Sequence, residues 1–333
     1  MPVVQENLIP QEREPVPVSA TDVVRVFGPA SLSNLGPGFD TLGLCLEGVG
    51  DVIEARRVET PGIHIVLNEH PFSAGITLDP DKNTAGVAAR MVAAQLGYTG
   101  GLELRIQKGF KPGSGIGSSA ASAVGAAYAT GELLSPGMSK HELVDAVLGG
   151  EALASGARHG DNVLPALFGG LMLVSSSDPN QYRNIEIPAG LWIVAILPEV
   201  QVLTREARAM LPVQVPMQHA VNQASSLAFM IEAFRAGDWA EVGQRMMEDQ
   251  LAEPVRSTLV PCYSQIKAAA MAAGAFGCAL TGSGPAMFAI SDKHAEAQSV
   301  MLAMQEASLA TGIASSAYLS RVNEGRRPKW RCS

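Results

Sequence analysis

The run from Lys111 to Ala129, KPGSGIGSSAASAVGAAYA, carries the residue types that would hold a phosphate group. Gly113, Gly115 and Gly117 remove side chains from alternate positions, so the backbone can take positive φ and lie directly against a bulky anion. Ser118 and Ser119 stand where a helix would begin. The small residues Ala120, Ala121, Ala123, Ala126 and Ala127 let that helix pack closely, with its unpaired N–H groups and positive dipole end aimed back at the loop. A glycine loop feeding a helix N-terminus is an anion site. The same residues would also make a plain Gly/Ser turn capping a packed helix. The G-K-[ST] ending of a Walker A loop is absent, and Ser118 stands where a dinucleotide fingerprint has its third glycine. The stretch after the helix, ATGELLSPGMS, supplies no parallel strand with an acidic end for a ribose.

Other polar groups fall where the pattern calls for apolar ones. Leu143, Val144, Val147 and Leu148 form one stripe of a helix opened by Ser139 and Glu142 in capping-box spacing, and Glu151 falls on that stripe. A carboxylate on a buried face needs a cation. Beside a phosphate loop Mg²⁺ fits, because it takes one or two protein oxygens plus phosphates and waters. A solvated glutamate near a helix end is the alternative. His159, Asp161 and Asn162 follow a break at Ser155-Gly156. With Glu151 they are compatible with a transition-metal site, although the spacing matches no zinc pattern, and a polar turn capping a short helix from Asn162 to Phe168 accounts for them equally.

Three further sets of residues join the candidates. In SNLGPGFD, Gly36, Pro37 and Gly38 already make the turn, leaving Asn34 and Asp40 to point outward toward something polar or cationic. Arg208 and Arg256 each lie at a helix end near a proline; arginine's planar fork suits a carboxylate, and singly each reads as a surface salt bridge. Lys108 reads as a solvated side chain, near enough to the loop for a role at a bound nucleotide.

These groups must be positioned by a mixed fold. Strands are expected at the start (VVRVF), over Thr41 to Val58, at Ile63 to Val66, and along Leu102 to Phe110, which alternates apolar and polar residues into the glycine loop. A helix runs from Asp81 to Gly97, with Asn83 or Thr84 as its cap. After the strand LMLVSS, SDPNQYRN reads as a connection to the second half. There the order is strand (Leu191 to Leu197), helices (Arg205 to Met210, His219 to Ala236, Asp238 to Gln250, Tyr263 to Ala273), strand (Gly277 to Leu280), strand (Ala286 to Ser291), helix (Lys293 to Thr311) and strand (Ile313 to Arg321). That is a split β-α-β arrangement of ferredoxin-like type, with Gly282 to Gly284 as a hairpin turn. The chain therefore reads as α+β with two domains, 21–186 and 187–333, after a loose arm at 1–20.

Composition narrows the function. A chain of 333 residues has room for two cores, and no apolar run approaches the roughly 20 residues that span a bilayer. The net charge of −8 argues against a nucleic-acid partner, and the four scattered cysteines suit reduced thiols in a cytoplasm and give no zinc site. Small molecules are the expected partners.

Three ordered segments, PASLSNLGPGFDTLG (Pro29 to Gly43), PGSGIGSSAASA (Pro112 to Ala123) and ALTGSGPAMFAI (Ala279 to Ile290), resemble the motifs of the GHMP kinases. The N-L-G-P-G-F-D form of the first, with E-x7-H-x-D-N from Glu151 to Asn162, is similar to the homoserine kinase branch of that family. The resemblance implies a two-domain GHMP kinase-like fold and ATP-dependent phosphorylation of L-homoserine. It implies ATP over Lys111, Pro112, Gly113, Ser114, Gly115, Ile116, Gly117, Ser118, Ser119, Ala120 and Ala121, with Asn83 and Lys108 approaching the nucleoside. It further implies Mg²⁺ on Ser119 and Glu151, and a substrate pocket of Asn34, Asp40, His159, Asn162, Thr204, Arg208 and Arg256, in which Asn162 stands where related kinases hold a base. A homodimer is the expected assembly.

Overall fold

A computed structural model of the chain describes residues 23–68 and 71–325. The arm expected at 1–20 and the last residues of the basic tail lie outside them. Strand β1 (Val23–Asn34) turns through residues 35–37 into the long β2 (Gly38–Val58), which serves two sets of partners. Residues 42–44 of β2 pair with β5 (Leu171–Val174) and through it β6 (Tyr182–Ile185). Residues 52–58 pair with β4 (Gly101–Gln107), which runs parallel to β3 (Gly62–Leu67). Helix α2 (Ser118–Leu134) lies directly on β1 and β2, flanked by α1 (Thr84–Gln95), α3 (Val144–Ser155) and α4 (Val163–Phe168). The reason for its run of alanines is contact between backbones: a Cβ on Gly28 of β1 would stand 2.0 Å from the Ala121 carbonyl oxygen.

The second sheet follows from the expected strand order. Strands β7 (Trp192–Pro198), β8 (Gly277–Leu280), β9 (Met287–Ser291) and β10 (Ser315–Arg321) are antiparallel in the order β10-β7-β9-β8, the arrangement of a split β-α-β unit. Between β7 and β8 come α5 (Thr204–Ala209), α6 (Met217–Ala236), α7 (Trp239–Met246), α8 (Glu253–Arg256) and α9 (Tyr263–Ala272), and α10 (His294–Ala310) follows β9. The near-continuous apolar run of β7 reflects burial on both faces. Val194 and Ile196 meet Ile266, Val300 and Met304 of α9 and α10, whereas Ile193 and Ala195 join Leu32, Leu42 and Leu44 of the first sheet and Met230 and Phe234 of α6. The two sheets thus share one core, in which each fully buried leucine contributes about 1.5–3 kcal/mol.

Three expectations need correction. Residues 182–185, read as connection, form an edge strand; their polar sequence gives no alternation because an edge strand leaves Arg183 and Asn184 exposed. The helix expected to reach Gln250 ends at Met246, and Asp249 instead accepts from the N–H groups of Leu251, Ala252 and Glu253 to open α8, which the sequence reading did not draw. The capping box of Ser139 and Glu142 is formed, but it opens a single 3-10 turn, Lys140–Leu143, ahead of α3.

Candidate active site

The glycine loop, the N-termini of α1 and α2, the end of α3 and the turn between β8 and β9 surround a cleft of about 410 Å³. Its floor is the end of α2. Gly117 caps that helix at φ 70° with no side-chain bond, so no cap side chain occupies the first-turn N–H groups. Gly117 must be glycine for a second reason: an added Cβ would lie 2.4 Å from Ser31 Oγ and 3.0 Å from Asn162 Oδ1. Gly113 (φ 71°) and Gly115 (φ 89°) give the loop the curvature expected of an anion cradle. Of the loop residues, Pro112, Gly113, Gly115, Gly117, Ser118 and Ser119 line the cleft. Lys111 and Ser114 instead line a separate hollow on the loop's other side, while Ile116, Ala120 and Ala121 are buried in the packing beneath.

At the edge of this cradle the Ser119 hydroxyl donates to Glu151 Oε2 at 2.9 Å, and Glu151 is buried to 7% exposure. A hydroxyl and a carboxylate side by side make a hard-oxygen pair suited to a divalent cation that takes its remaining ligands from phosphate and water. Among the described residues no cluster of three or more His, Cys, Asp or Glu offers a self-sufficient metal site. Glu151 is thus brought to Ser119, and His159 and Asp161 are turned elsewhere.

Asn83 and Lys108 both line the cleft with the glycine loop, and each is also bonded within the protein. Asn83 caps α1, its Oδ1 accepting from Ala85 N at 3.0 Å and its Nδ2 donating to the Thr77 carbonyl at 2.9 Å. Lys108 is not solvated. It is 3% exposed, ion-paired with Asp51, and donates to the Ser118 carbonyl at 3.1 Å and to Ser122 Oγ at 3.0 Å. Burial lowers its pKa, and Asp51 opposes that shift.

Beyond the loop the site turns from anion-binding to mixed charge. Asn162 is held by two serines of β1, accepting from Ser31 Oγ at 3.0 Å and donating to Ser33 Oγ at 2.9 Å. This fixes its amide next to Gly117. Asn34 does not point outward: its Nδ2 donates to the Gly282 carbonyl at 3.0 Å and its Oδ1 accepts from Asp40 N at 3.2 Å, tying the β1–β2 turn to the β8–β9 turn. Asp40 does meet a cation, Arg208, through bonds of 2.8 and 2.9 Å. Arg256 is 3% exposed, donates to the Gly282 carbonyl at 2.9 Å and lies 4.9 Å from the Phe39 ring, so it makes no surface salt bridge, whereas Arg208 in its pair with Asp40 stays 37% exposed. Thr204 Oγ1 sits 3.4 Å from Ser283 Oγ across the mouth. The Gly282–Gly284 turn is therefore part of the site as well as a hairpin turn.

Burial tunes the acids and bases here. His159 has its pKa lowered by desolvation, with Arg208 and Arg256 adding to the effect against Asp40; it is neutral at neutral pH, and its Nδ1 lies 3.9 Å from Asp40. Asp161, 4% exposed, is raised to about 7, first by burial and then by Asp40, while the two arginines pull it back. Among the described residues His159 Nε2, Arg208 Nε and Arg256 Nε are buried without a hydrogen-bond partner, which marks this end of the cleft as suited to a polar molecule.

The sequence reading missed Ser31, Ser33, Phe39, Asp51, Ser122 and Ser283. One signal was present. Asp51 shares its side of β2 with Ile53 and Ala55, all 0% exposed, so alternation alone places a carboxylate in the core.

A glycine cradle at a helix N-terminus, an oxygen pair for a cation beside it and a charged pocket adjoining both describe a small-molecule phosphotransferase. The chain matches the family models "GHMP kinases N terminal domain" over residues 83–170 and "GHMP kinases C terminal" over residues 230–308. It is 38% identical over 313 residues to the homoserine kinase of Pyrococcus furiosus, covering 92% of this chain and 100% of the relative. To that of Methanocella arvoryzae it is 38% identical, covering 92% and 97%. A crystal structure of homoserine kinase from Cytophaga hutchinsonii superposes with a TM-score of 0.87 at 36% identity, over 93% of this chain and 98% of the other. The chain belongs to the homoserine kinases of the GHMP kinase family.

Proposed function

We propose that the protein transfers the γ-phosphoryl group of ATP to the side-chain hydroxyl of L-homoserine, giving O-phospho-L-homoserine and ADP for threonine biosynthesis. The observation that carries this reading is the contiguity of two unlike chemistries. Asn162 Oδ1 stands where it would lie 3.0 Å from a Cβ on Gly117 of the anion cradle, Asn162 is bonded to Ser33, the Ser33 carbonyl accepts from the Gly282 N–H, and Arg256 is bonded to the Gly282 carbonyl. A phosphoryl donor over the loop and an amino acid against the arginines would meet at Asn162.

In this mechanism the new bond joins the homoserine hydroxyl oxygen to the γ-phosphorus, and the bond broken is that between the γ-phosphorus and the bridging oxygen that leaves with ADP. The first-turn N–H groups of α2 hold charge on the phosphates. Ser119 and Glu151 would hold Mg²⁺, which supplies charge neutralisation on the phosphates when bound. Asn162 orients the hydroxyl, and the proton passes to a phosphate oxygen or to water. A loose transition state needs little proton abstraction, so positioning carries most of the rate. Arg256 and Arg208 take the substrate carboxylate, with Asp40 left to face the ammonium.

The wider assignments belong to the same proposal. The two domains divide at 186/187, between the last strand of the first sheet at Ile185 and the first of the second at Trp192. No described helix is long and apolar enough to cross a membrane, and we place the enzyme in the cytoplasm as a homodimer, which sedimentation of the purified chain will decide. The test of function is ADP release from MgATP against a panel of amino alcohols. Homoserine should be used with the highest kcat/KM; no turnover with any amino alcohol would overturn the reading.

A further inference from the structure

Both ends of the glycine loop are fastened to one buried point. At the entry, the Gly109 N–H donates to Asp51 Oδ1 at 3.1 Å. At the exit, the Ser118 carbonyl, in the first residue of α2, accepts from Lys108 Nζ at 3.1 Å. Between them Asp51 Oδ2 takes the Lys108 ammonium and the Ser122 hydroxyl, the latter at 2.7 Å, and Ser122 Oγ also accepts from Lys108 Nζ at 3.0 Å. Asp51, Lys108 and Ser122 are 0%, 3% and 6% exposed. All three ammonium hydrogens of Lys108 have partners within the protein, so this amine cannot donate to a nucleotide without giving one up.

We propose that Asp51, Lys108 and Ser122 are positioning residues for phosphoryl transfer: a buried brace that sets the distance between the two halves of the anion cradle, the glycine loop and the N-terminus of α2. The inference rests on the reading that this cradle binds the phosphates of ATP.

The physical case lies in what the brace joins. Asp51 belongs to β2, Lys108 directly follows β4 and Ser122 lies in the second turn of α2, so the helix and the paired strands on which it packs share one charged node. Packing of alanines tolerates small slides of a helix along a sheet; a three-donor ammonium fixed to a carboxylate, a hydroxyl and a carbonyl does not. A buried ion pair is weak support for stability, since a pair of apolar side chains of similar volume often does as well. What apolar groups cannot supply is the direction of the Gly109 N–H and the Ser118 carbonyl. Those two groups bracket the loop that must present its amides to a phosphate, and a misplacement of about 1 Å at a reacting group is enough for a loss on the order of 10²-fold.

The test compares Lys108→Met, Asp51→Asn, Ser122→Ala and the double variant Asp51→Leu/Lys108→Met. Each is followed by melting temperature, by binding of MgATP in the absence of homoserine, by steady-state kinetics and by hydrogen exchange of the 109–118 backbone in the nucleotide-free protein. The brace predicts that the double variant recovers much of the melting temperature lost in the singles, yet keeps a MgATP dissociation constant raised about tenfold or more, faster exchange in 109–118 and an unchanged KM for homoserine. Ser122→Ala, the mildest change, should raise the MgATP constant by about threefold with little loss of melting temperature. Wild-type MgATP binding and exchange in the double variant would reduce the node to core packing and overturn the proposal. Weaker binding in Lys108→Met alone, with Asp51→Asn and Ser122→Ala unaffected, would overturn it in favour of a direct nucleotide contact. If wild-type protein binds MgATP but turns over no amino alcohol, the functional reading fails and the brace stands or falls on binding and exchange.

Discussion

Arg208 grips Asp40 through both carboxylate oxygens, at 2.8 and 2.9 Å, and this same carboxylate is the one His159 faces. Two groups that the sequence offers separately to a substrate are thus satisfied by each other, while Arg256 donates to a neutral carbonyl. An incoming amino acid would find Arg256 ready for its carboxylate and would exchange partners with the Asp40–Arg208 pair.

Arg256→Met should therefore lower kcat/KM for homoserine by about 10- to 150-fold, corresponding to the roughly 1.5–3 kcal/mol of a charge-assisted bond. 1,4-Butanediol, which has no carboxylate, should not react with either the wild type or the variant. Steady-state rates with both alcohols measure the difference, and equal kcat/KM for the two in the wild type would remove the amino-acid reading.

Glu151 and Ser119 bear on the cation. Glu151→Ala should reduce kcat by on the order of 10²-fold or more, because charge stabilisation worth several kcal/mol is lost, with a smaller change in MgATP affinity. Titrating Mg²⁺ against rate will show whether the loss persists at saturation. Near-normal turnover there would contradict the assignment.

Asp161 bears on both stability and mechanism. Its folded pKa of about 7 lies above the ordinary carboxylate value, so the folded state holds the proton more tightly than the unfolded chain. The stability this provides is present in full below about pH 4 and is lost as pH rises through 7. Asp161→Asn has no such loss, so the melting temperature of wild type relative to the variant should fall between pH 5 and pH 8. In kinetics the variant should keep kcat within about tenfold at pH 8, since Asn162, not Asp161, is assigned to the hydroxyl. A drop of about 10²-fold with disappearance of the acidic limb would make Asp161 the general base.

Asn34→Ala removes both bonds of a side chain that joins two turns. It takes the Asn34 acceptor from the Asp40 N–H and leaves the Gly282 carbonyl with Arg256 as its side-chain donor, and unfolding in urea should record about 1–3 kcal/mol of lost stability. The KM for homoserine should rise with it, because Gly282 also receives Arg256. Unchanged stability and KM would mean that the link between the turns is idle.

Much of this was legible in the chain, and the division has a physical basis. The glycine loop, the cap at Asn83 and the strand order of the second sheet are written in local spacing, and all are found. Glu151 was marked by falling on an apolar stripe, and it is buried beside Ser119. Misreadings arose where a residue's partner is remote. Asn34 looked free because its acceptor is Gly282, and Lys108 looked solvated because Asp51 lies far back along the chain. Edge strand β6 has no alternation to read, and α8 is a single turn led in by Asp249, which accepts from the N–H groups of Leu251, Ala252 and Glu253, rather than by apolar spacing.

The common core beneath the two sheets governs how the enzyme can breathe. Ile193, Ala195, Phe288 and Ile290 from one sheet are packed with Leu32, Leu42, Leu44 and Leu46 from the other, and Leu46 is bridged to Val322 just after β10. Swinging the halves apart like a clam would strip water-free leucines bare at about 1.5–3 kcal/mol apiece, so a hinge through this region is closed off. Local shifts of side chains and connecting segments at the rim would admit substrate without breaking these contacts. An enzyme of this build works as a fixed anvil with a moving edge.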